Sequence, residues 1–269
     1  MTAALHDTPR LFLSRDEWNS LPERLEDPFF RALAARNDEA LPLLDDLFEE
    51  AERTGRTAHH RKVKTKLQRS AVAWYLHRSE AARRSIRQCV DWLLDRSHWG
   101  VTYRKAQLQR FDLRMGDLTY CAAFALDVCG PCMDEPAREA LAEVLVQEGL
   151  ESYLQGFEEE EWWRRCNFNW ASATHGNAGL AALLLRESTP EPAELVLKHA
   201  REGLAFVIEA LPPSGGYTEG LMYQATTLGH LTDFVAALHR LTGEDLGLST
   251  NMNFINGLLG RAYMIGGDG

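Results

Sequence analysis

The sequence predicts an all-α fold, in the form of an incomplete (α/α) toroid built of antiparallel helical hairpins. Apolar residues recur at steps of three and four along most of the chain, which is the periodicity of amphipathic helices. Clusters of Gly, Pro or polar residues interrupt this pattern, and the alternation typical of strands is nearly absent. Connections as short as His77-Arg-Ser-Glu80 force consecutive helices to run antiparallel. In such a toroid the ends of the inner helices would line one concave cleft.

The periodic segments predict ten helices and one domain. Ser14-Arg-Asp-Glu17 matches a capping box at the first helix start, and Asp134-Glu-Pro136 places proline in the first turn of another helix. Because no low-complexity linker divides the chain, we expect an N-terminal extension over residues 1–12 and one toroid domain over residues 13–269. The predicted helices span residues 15–25, 28–54, 60–78, 80–96, 115–129, 134–155, 170–186, 191–210, 219–241 and 251–265.

The composition narrows the possible partners and compartments. A chain of 269 residues with 45% hydrophobic content can bury a sizeable core. The net charge of −10 argues against general nucleic-acid binding, which usually needs a basic face. No apolar run approaches the roughly 18 residues of a membrane helix, so no membrane partner is expected. If Met1 is native, the absence of a signal-peptide pattern predicts a cytoplasmic protein, whereas a trimmed N-terminus would fit a periplasmic or secreted one.

The cysteines and metal-binding residue types point to neither redox chemistry nor a cofactor. Five cysteines form an odd, sparse set, which is typical of free thiols in a reducing compartment. Cys129-Gly-Pro-Cys132 has the spacing of a thioredoxin dithiol, but a predicted helix precedes it and Gly130-Pro131 indicates a helix end. We therefore favour an interhelical turn there. The His and Glu residues lack close metal-ligand spacing, and no phosphate-binding glycine loop is present, so no metal or cofactor is predicted.

Two segments collect polar and aromatic side chains at predicted helix starts. Asn167-Phe-Asn-Trp-Ala-Ser-Ala-Thr-His-Gly-Asn177 opens one helix, and Pro213-Ser-Gly-Gly-Tyr-Thr-Glu-Gly-Leu-Met-Tyr-Gln224 opens another. Helix N-termini present unpaired N–H groups and the positive end of the helix dipole. These two segments are therefore well placed to receive an anionic group of a substrate.

Three stretches of the chain resemble one family. They are Arg10-Leu-Phe-Leu-Ser-Arg-Asp-Glu17, Asn169-Trp170 with the Gly- and Ala-rich helix after it, and Gly215-Gly-Tyr-Thr-Glu-Gly-Leu-Met-Tyr223. Together they resemble the N-terminal α/α-toroid domain of the heparinase II/III-like polysaccharide lyases, which include the oligoalginate lyases, over roughly residues 10–265. In that family a β-sandwich domain follows the toroid and supplies part of the active site. The resemblance implies that this domain is missing from the 269 residues and is expected in the full-length protein.

The resemblance implies a β-elimination on a uronate-containing anionic polysaccharide or oligosaccharide. A base removes the proton at C5, an acid protonates the departing O4, and hydrogen-bond donors stabilise the charge that develops on the carboxylate. Asn169 matches the family's carboxylate donor, with Asn167 as its substitute, and Tyr223 matches the tyrosine that acts as acid and, for some substrates, as base. Several members carry histidine after that asparagine, where this chain has Trp170. The base is therefore open, and His175 is a candidate.

Each candidate also has a structural interpretation. Asn167 or Asn169 would serve equally well as a helix N-cap. Trp170 either stacks on a sugar ring or is buried in the core. His175 either reaches the cleft or is a packing histidine.

The second segment and its flanks leave similar alternatives. In a helix from residue 219, Tyr223 would share a face with Thr227, His230 and Phe234, so His230 either adjoins the substrate or belongs to the core. Glu219 either contacts substrate or complements the helix dipole from the first turn. Tyr217 and the pair Gly215-Gly216 shape the loop, with glycine allowing backbone to approach ligand.

The charged stretches ahead of these segments are less specific. The Arg164 guanidinium could bind a substrate carboxylate or sulfate. Alternatively, Arg164 is part of a surface charge cluster formed by residues 158–165. The basic stretch 59–69 either faces an anionic polymer or is the solvated side of a helix.

Three functions remain after these observations. The first is the toroid portion of a polysaccharide lyase. The second is an α/α-toroid glycoside hydrolase, for which Glu219 would be one of two carboxylates and the other is not evident. The third is a non-catalytic glycan-binding helical domain.

Overall fold

The structure is a computed structural model that describes residues 9–54, 58–104 and 107–265, and it confirms the all-α prediction. Short 3₁₀ turns and one small hairpin connect the helices. The α-helices are α1 (Arg15–Asn19), α2 (Pro28–Ala40), α3 (Leu47–Thr54), α4 (His60–His77), α5 (Glu80–Leu94), α6 (Leu113–Val128), α7 (Glu135–Val144), α8 (Ser152–Glu158), α9 (Asn169–Leu185), α10 (Pro190–Glu209), α11 (Leu221–Thr242) and α12 (Met252–Ile265).

Several observed elements differ from the predicted helices. The helix predicted over residues 15–25 is wrong, because α1 ends at Asn19 and a separate 3₁₀ turn, Leu21–Glu26, follows it. The single helix predicted over residues 28–54 is wrong, because α2 ends at Ala40 and Pro42 opens a 3₁₀ turn that separates it from α3. A π-helical segment, Leu145–Glu151, joins α7 to α8. An antiparallel hairpin pairs β1 (Thr102–Arg104) with β2 (Gln107–Gln109), and strands of three residues are too short to show a periodic pattern in the sequence.

Both predicted capping signals are present. The Ser14 side chain accepts a hydrogen bond from the Glu17 backbone at 3.2 Å, while Glu17 accepts one from the Ser14 backbone at 2.7 Å. The Asp134 side chain accepts from Ala137 N at 3.0 Å, with Pro136 in the first turn of α7. Such caps fix the starts of α1 and α7 by satisfying N–H groups that have no partner within the helix.

The helices form two packed sets. Helices α4, α6, α9 and α11 lie side by side in that order, and α5, α7 and α10 pack against them to complete antiparallel hairpins. Residues near the N-termini of α4, α6, α9 and α11 line one cleft, so these four helices run in the same direction. This alternation of inner and outer helices is the pattern of an α/α array.

Helix α9 lies at the centre of the fold, between α6, α10 and α11, and every residue from Ala171 to Leu185 is buried. Its Gly and Ala residues let neighbouring helices approach closely. A Cβ atom added to Gly176 would lie 2.9 Å from the carbonyl oxygen of His230, and one added to Gly179 would lie 2.4 Å from the ring of Phe234. The small side chains therefore set the distance between α9 and α11.

The N-terminal segment is held against α6 by a buried carboxylate. Residues 1–8 of the predicted extension lie outside the described residues, but Leu11 is buried. The backbone N–H groups of Arg10 and Leu11 donate to Asp127 at 2.8 Å and 3.2 Å. Burial raises the pKa of Asp127 to about 6, although the hydrogen bonds from these N–H groups act to lower it.

The five cysteines are free, and the Cys129–Cys132 segment is a turn. Helix α6 ends at Val128, one residue before the predicted end, and residues Gly130–Cys132 form a 3₁₀ turn. Both cysteines are buried, and burial raises the pKa of Cys132 to about 11, which disfavours the reactive thiolate. Within the described ranges, no helix combines the length and apolar character needed to cross a bilayer.

The packing of α9 predicts opposite effects for two Gly-to-Ala substitutions. Gly179→Ala should lower the free energy of unfolding by ~1–2 kcal/mol, because overpacking against the buried Phe234 ring outweighs the gain in helix propensity. Gly229→Ala should raise it by ~0.5–1 kcal/mol, because a Cβ there meets no atom within 4 Å. Urea denaturation of both variants measures this difference, and equal changes would contradict the packing described.

Candidate functional site

The N-terminal halves of α4, α6, α9 and α11 line an open cleft of about 710 Å³. A volume of this order is typical of small-molecule and oligosaccharide-sized sites. Each of the four helices contributes polar groups to the lining. The polar and aromatic lining residues include Arg61, Lys64 and Gln68 from α4, Asp117 from α6, Asn169 and Trp170 from α9, and Tyr223, Thr226, His230 and Asp233 from α11.

Asn169 is the first residue of α9 and forms part of the cleft wall. The N-cap is Phe168, which offers no side-chain acceptor, so the N-cap interpretation is wrong for both Asn167 and Asn169. Asn169 is only 4% exposed, and its Oδ1 has no hydrogen-bond partner among the described residues. A buried polar atom without a partner costs about 1–3 kcal/mol. The unpartnered Oδ1 is an acceptor, so a ligand in the cleft would satisfy it with a donor such as a hydroxyl.

Two aromatic side chains flank this amide. Tyr223 lies in the first turn of α11 and is 43% exposed. Trp170 follows Asn169 on α9, is partly exposed, and packs against Trp162 with ring centroids 4.7 Å apart. Trp170 therefore keeps one part of its ring in the core and another part in the cleft.

Of the four residues predicted to share the cleft-facing side of α11, Tyr223 and His230 line the cleft and the other two do not. Tyr223, Thr226, His230 and Asp233 line the cleft, whereas Thr227 is fully buried. Phe234 is likewise fully buried, against α9. The four predicted residues do share one side of the helix, but α11 packs part of that side against α9 and directs a neighbouring side into the cleft.

His230 is held as an uncharged imidazole. Its Nδ1 donates to Asn177 Oδ1 at 3.1 Å, which leaves Nε2 without a proton in the neutral ring. Burial lowers the pKa of His230 to about 4, and the charge of Lys64 adds to the effect. The structure thus supports the interpretation of His230 as a neighbour of the cleft.

The charges of the cleft are balanced. Asp117 accepts a hydrogen bond from Lys64 Nζ at 3.1 Å, and His60 Nε2 lies 3.4 Å away. Burial raises the pKa of Asp117, but the hydrogen bond from His60 and the charge of Lys64 outweigh it and hold the pKa well below the ordinary value. Asp233 differs, because burial raises its pKa above the ordinary value despite the opposing charge of Lys64.

The basic stretch 59–69 divides between the cleft and the core. Arg61 and Lys64 line the cleft. Lys66 is buried instead, and its Nζ donates to the carbonyl oxygen of Leu44 at 2.8 Å.

His175 does not reach the cleft. It is fully buried, with Nδ1 hydrogen-bonded to the Tyr153 hydroxyl at 2.6 Å and Nε2 without a partner among the described residues. A Cβ added to Gly203 would lie 2.1 Å from this Nε2, so α10 closes over the ring. Burial lowers the pKa of His175 to about 3. His175 is therefore a packing histidine. Its side chain has no access to the cleft, which argues against the catalytic role predicted for it.

Arg164 also lies away from the cleft lining. Its guanidinium donates to Glu160 Oε1 at 2.9 Å and to the carbonyl oxygen of Phe157 at 3.2 Å. It also lies over the Phe157 ring at 5.2 Å from the centroid. These contacts agree with a surface charge cluster rather than with a carboxylate fork facing the cleft.

Three other predicted residues line a second, smaller depression of about 260 Å³, formed with Phe168 and Pro212. They are Asn167, Tyr217 and Glu219. The Tyr217 hydroxyl is hydrogen-bonded to Thr227 Oγ1 at 2.7 Å. Glu219 precedes α11, whose N-cap is Gly220, so the prediction that it lies in the first turn is wrong.

The glycine pair of this loop serves packing. Gly215 has φ +72°, and a Cβ there would lie 2.3 Å from the carbonyl oxygen of Asn256 on α12. The close approach is therefore to backbone of α12, whereas the sequence suggested an approach to ligand. Gly215 O also accepts from Gln224 Nε2 at 2.7 Å, which ties the loop to α11.

The sequence analysis missed Asp117, Asp233 and Gln68. A usable signal exists for Asp117, because a carboxylate inside the largely apolar helix Leu113–Val128 needs a specific partner. Asp233 lies three residues after His230, so the two side chains are neighbours on one side of the helix. Among the described residues, no group of three His, Cys, Asp or Glu side chains is placed to hold a metal ion.

No family model matches this chain, and no curated protein matches it either.

The environment of His230 predicts its titration. Its side chain should remain neutral from pH 8 to pH 5, with the proton on Nδ1, and ¹⁵N NMR of the imidazole measures both properties. In the unfolded chain a histidine takes up a proton near pH 6.5. The free energy of unfolding should therefore fall as pH decreases from about 6.5 towards 4.

His230→Gln should remove this part of the pH dependence. His239→Gln, at an exposed position of the same helix, is the matched control and should leave that part in place. A protonated His230 at pH 6 would contradict the burial described.

Proposed function

We propose that this chain is the toroid portion of a polysaccharide lyase that cleaves a uronate-containing anionic glycan by β-elimination. One observation carries the proposal: Asn169 and Tyr223, the two residues that match the lyase motifs, line the same cleft from two different helices. The donor that this proposal requires from Asn169 is its Nδ2 amide, whereas its Oδ1, which has no partner among the described residues, would accept from a sugar hydroxyl.

The cleft offers two kinds of group to a uronate carboxylate. Asn169 offers a neutral amide at the start of α9, where the helix dipole also favours negative charge. Arg61 and Lys64 offer positive charge from α4. Lys64 already binds Asp117, so the substrate carboxylate would share or replace that contact. Such donors stabilise the dianion that forms when C5 loses its proton.

Tyr223 is the group best placed to exchange protons with the solvent-facing part of a bound glycan. In the proposed reaction the Tyr223 side chain, as phenolate, takes the proton from C5 as the C5–H bond breaks, the C4–O4 bond breaks and a C4–C5 double bond forms, and the resulting phenol donates that proton to the departing O4. The exposed position of Tyr223 at the start of α11 gives a glycan direct access to its hydroxyl. His230, being uncharged, would orient the sugar through a hydrogen bond rather than supply a charge.

Trp170 would contribute a flat apolar surface beside these polar groups. Sugar rings pack their C–H faces on aromatic side chains, and Trp170 adjoins Asn169 in the cleft wall. Gly229, opposite on α11, has no atom within 4 Å of its Cβ position and so leaves room for a ring.

A specific observation favours a glycoside hydrolase as the second candidate. Asp117 and Asp233 both line the cleft, and their pKa values are shifted in opposite directions. Glycoside hydrolases use such a pair, with one protonated acid and one ionised base or nucleophile. Glu219, the carboxylate considered from the sequence, lies in the smaller depression instead.

The reaction products distinguish the lyase, the hydrolase and the glycan-binding domain. Uronate polymers should give an absorbance near the ultraviolet edge as a 4,5-unsaturated sugar forms. The assay uses the 269-residue chain. New reducing ends without that absorbance would select the hydrolase, and binding without turnover would select a glycan-binding domain.

Replacement of the proposed acid should abolish most of the elimination. Tyr223→Phe removes only the hydroxyl and should lower kcat by about 10²–10⁴-fold, because a positioned acid or base contributes that factor. The rate of unsaturated-product formation measures the loss. Circular dichroism should show an unchanged fold, since Tyr223 is exposed. An unchanged kcat would contradict the assignment of Tyr223.

The two asparagines provide a matched pair. Asn169→Ala should lower the elimination rate by about 10²-fold, which corresponds to ~3 kcal/mol of lost transition-state stabilisation. Asn167→Ala should leave the rate nearly unchanged, because Asn167 lines the smaller depression. Initial rates with saturating glycan measure both, and the reverse order would contradict the placement of the carboxylate donor.

A further inference from the structure

A second concave surface lies at the other end of the described chain. It is an apolar groove of about 480 Å³ between the 3₁₀ turn Leu21–Glu26, α2 and α4. Its apolar lining includes Leu21, Phe30, Val72 and Leu76, which remain partly exposed, and Leu33, which is 45% exposed. Its volume is that of a small-molecule site.

The charged groups around this groove are all cationic. Arg24, Arg36 and Arg69 line it from three different elements, and none of them forms an ion pair with a carboxylate among the described residues. Arg24 lies over the Phe30 ring instead, at 5.6 Å from the centroid.

A buried donor in the groove also lacks an acceptor. Trp18 lines the groove and is 6% exposed, and its Nε1 has no hydrogen-bond partner among the described residues. Its ring is fixed against Tyr75, with centroids 4.8 Å apart. Buried indole N–H groups usually find an acceptor, so this one indicates an acceptor that comes from a ligand.

We propose that the groove binds a single-chain anionic amphiphile, an alkyl carboxylate whose tail lies along the apolar lining and whose head group meets the arginines and the Trp18 N–H. The chemistry follows from the lining, which pairs apolar surface with an excess of donors and positive charge. A free monomer fits better than a bilayer. The groove has the volume of a small ligand, and a net charge of −10 disfavours approach to an anionic membrane.

Isothermal titration of the 269-residue chain with decanoate, below its micelle concentration, tests this proposal. Decanoate should bind saturably at one site and at least about tenfold more tightly than decanol, which has the same tail without the charge. Acetate, which has the head group alone, should not bind. Equal affinity for decanol, the absence of decanoate binding, or binding only to anionic phospholipid vesicles would each overturn the proposal.

Substitutions locate the site. Arg69→Gln should weaken decanoate binding by about tenfold, and Trp18→Phe, which keeps the ring but removes the N–H, by about fivefold. Arg84→Gln, at an exposed position of α5 outside the groove, is the matched control and should leave affinity unchanged. Urea denaturation should show that all three variants are folded. Equal affinities for the three variants would overturn the assignment.

Leu33→Asp tests the tail contact and the competing occupant. It places a charge on the exposed apolar wall and should abolish decanoate binding. If the unmodified chain is instead a dimer that Leu33→Asp separates, and decanoate does not bind, the groove is an interface between two copies and the proposal fails. Because the cleft takes no part in these measurements, they stand or fall independently of the lyase proposal.

Discussion

The close packing of α9 against three neighbouring helices is the constraint on which the rest of the structure depends. Gly176 and Gly179 allow α11 to approach, and a Cβ added to Gly116 would lie 3.3 Å from the carbonyl oxygen of Ala173, so α6 approaches as closely. Interiors of this density leave a helix little freedom to slide or rotate. The start of α9 is therefore fixed relative to α6 and α11. This rigidity places Asn169 and Trp170 between Asp117 on one side and Tyr223 with His230 on the other.

The polar groups of the cleft are held by the same core that they adjoin. His230 donates to Asn177, which is itself buried in α9, and Asp117 binds Lys64 across from α4. In such surroundings of low dielectric a charge needs a partner, whereas an imidazole stays neutral. The cleft therefore combines one uncharged imidazole, an unpaired amide and a balanced pair of carboxylates and cations. A uronate carboxylate would disturb this balance at Lys64, which suggests that affinity will depend on ionic strength.

The sequence was sufficient for features that depend on local pattern. Periodicity predicts most of the helices, and Ser14 and Asp134 predict two caps that the structure contains. Features that depend on neighbouring helices could not be predicted in this way. Nothing near His175 shows that Gly203, on the next helix, closes over its ring. The joint position of Asn169 and Tyr223 was suggested only by a resemblance, and the groove around Trp18 requires three elements to meet.

Hydrogen–deuterium exchange with and without a uronate oligosaccharide tests the central claim most directly, namely that the aligned N-termini of the inner helices form the ligand site. The account predicts slower exchange, confined to peptides that cover the first turns of α4, α6, α9 and α11, when the oligosaccharide binds. Protection at the Asn167–Tyr217–Glu219 depression alone, or protection absent from all four helix starts in the presence of bound glycan, would contradict it.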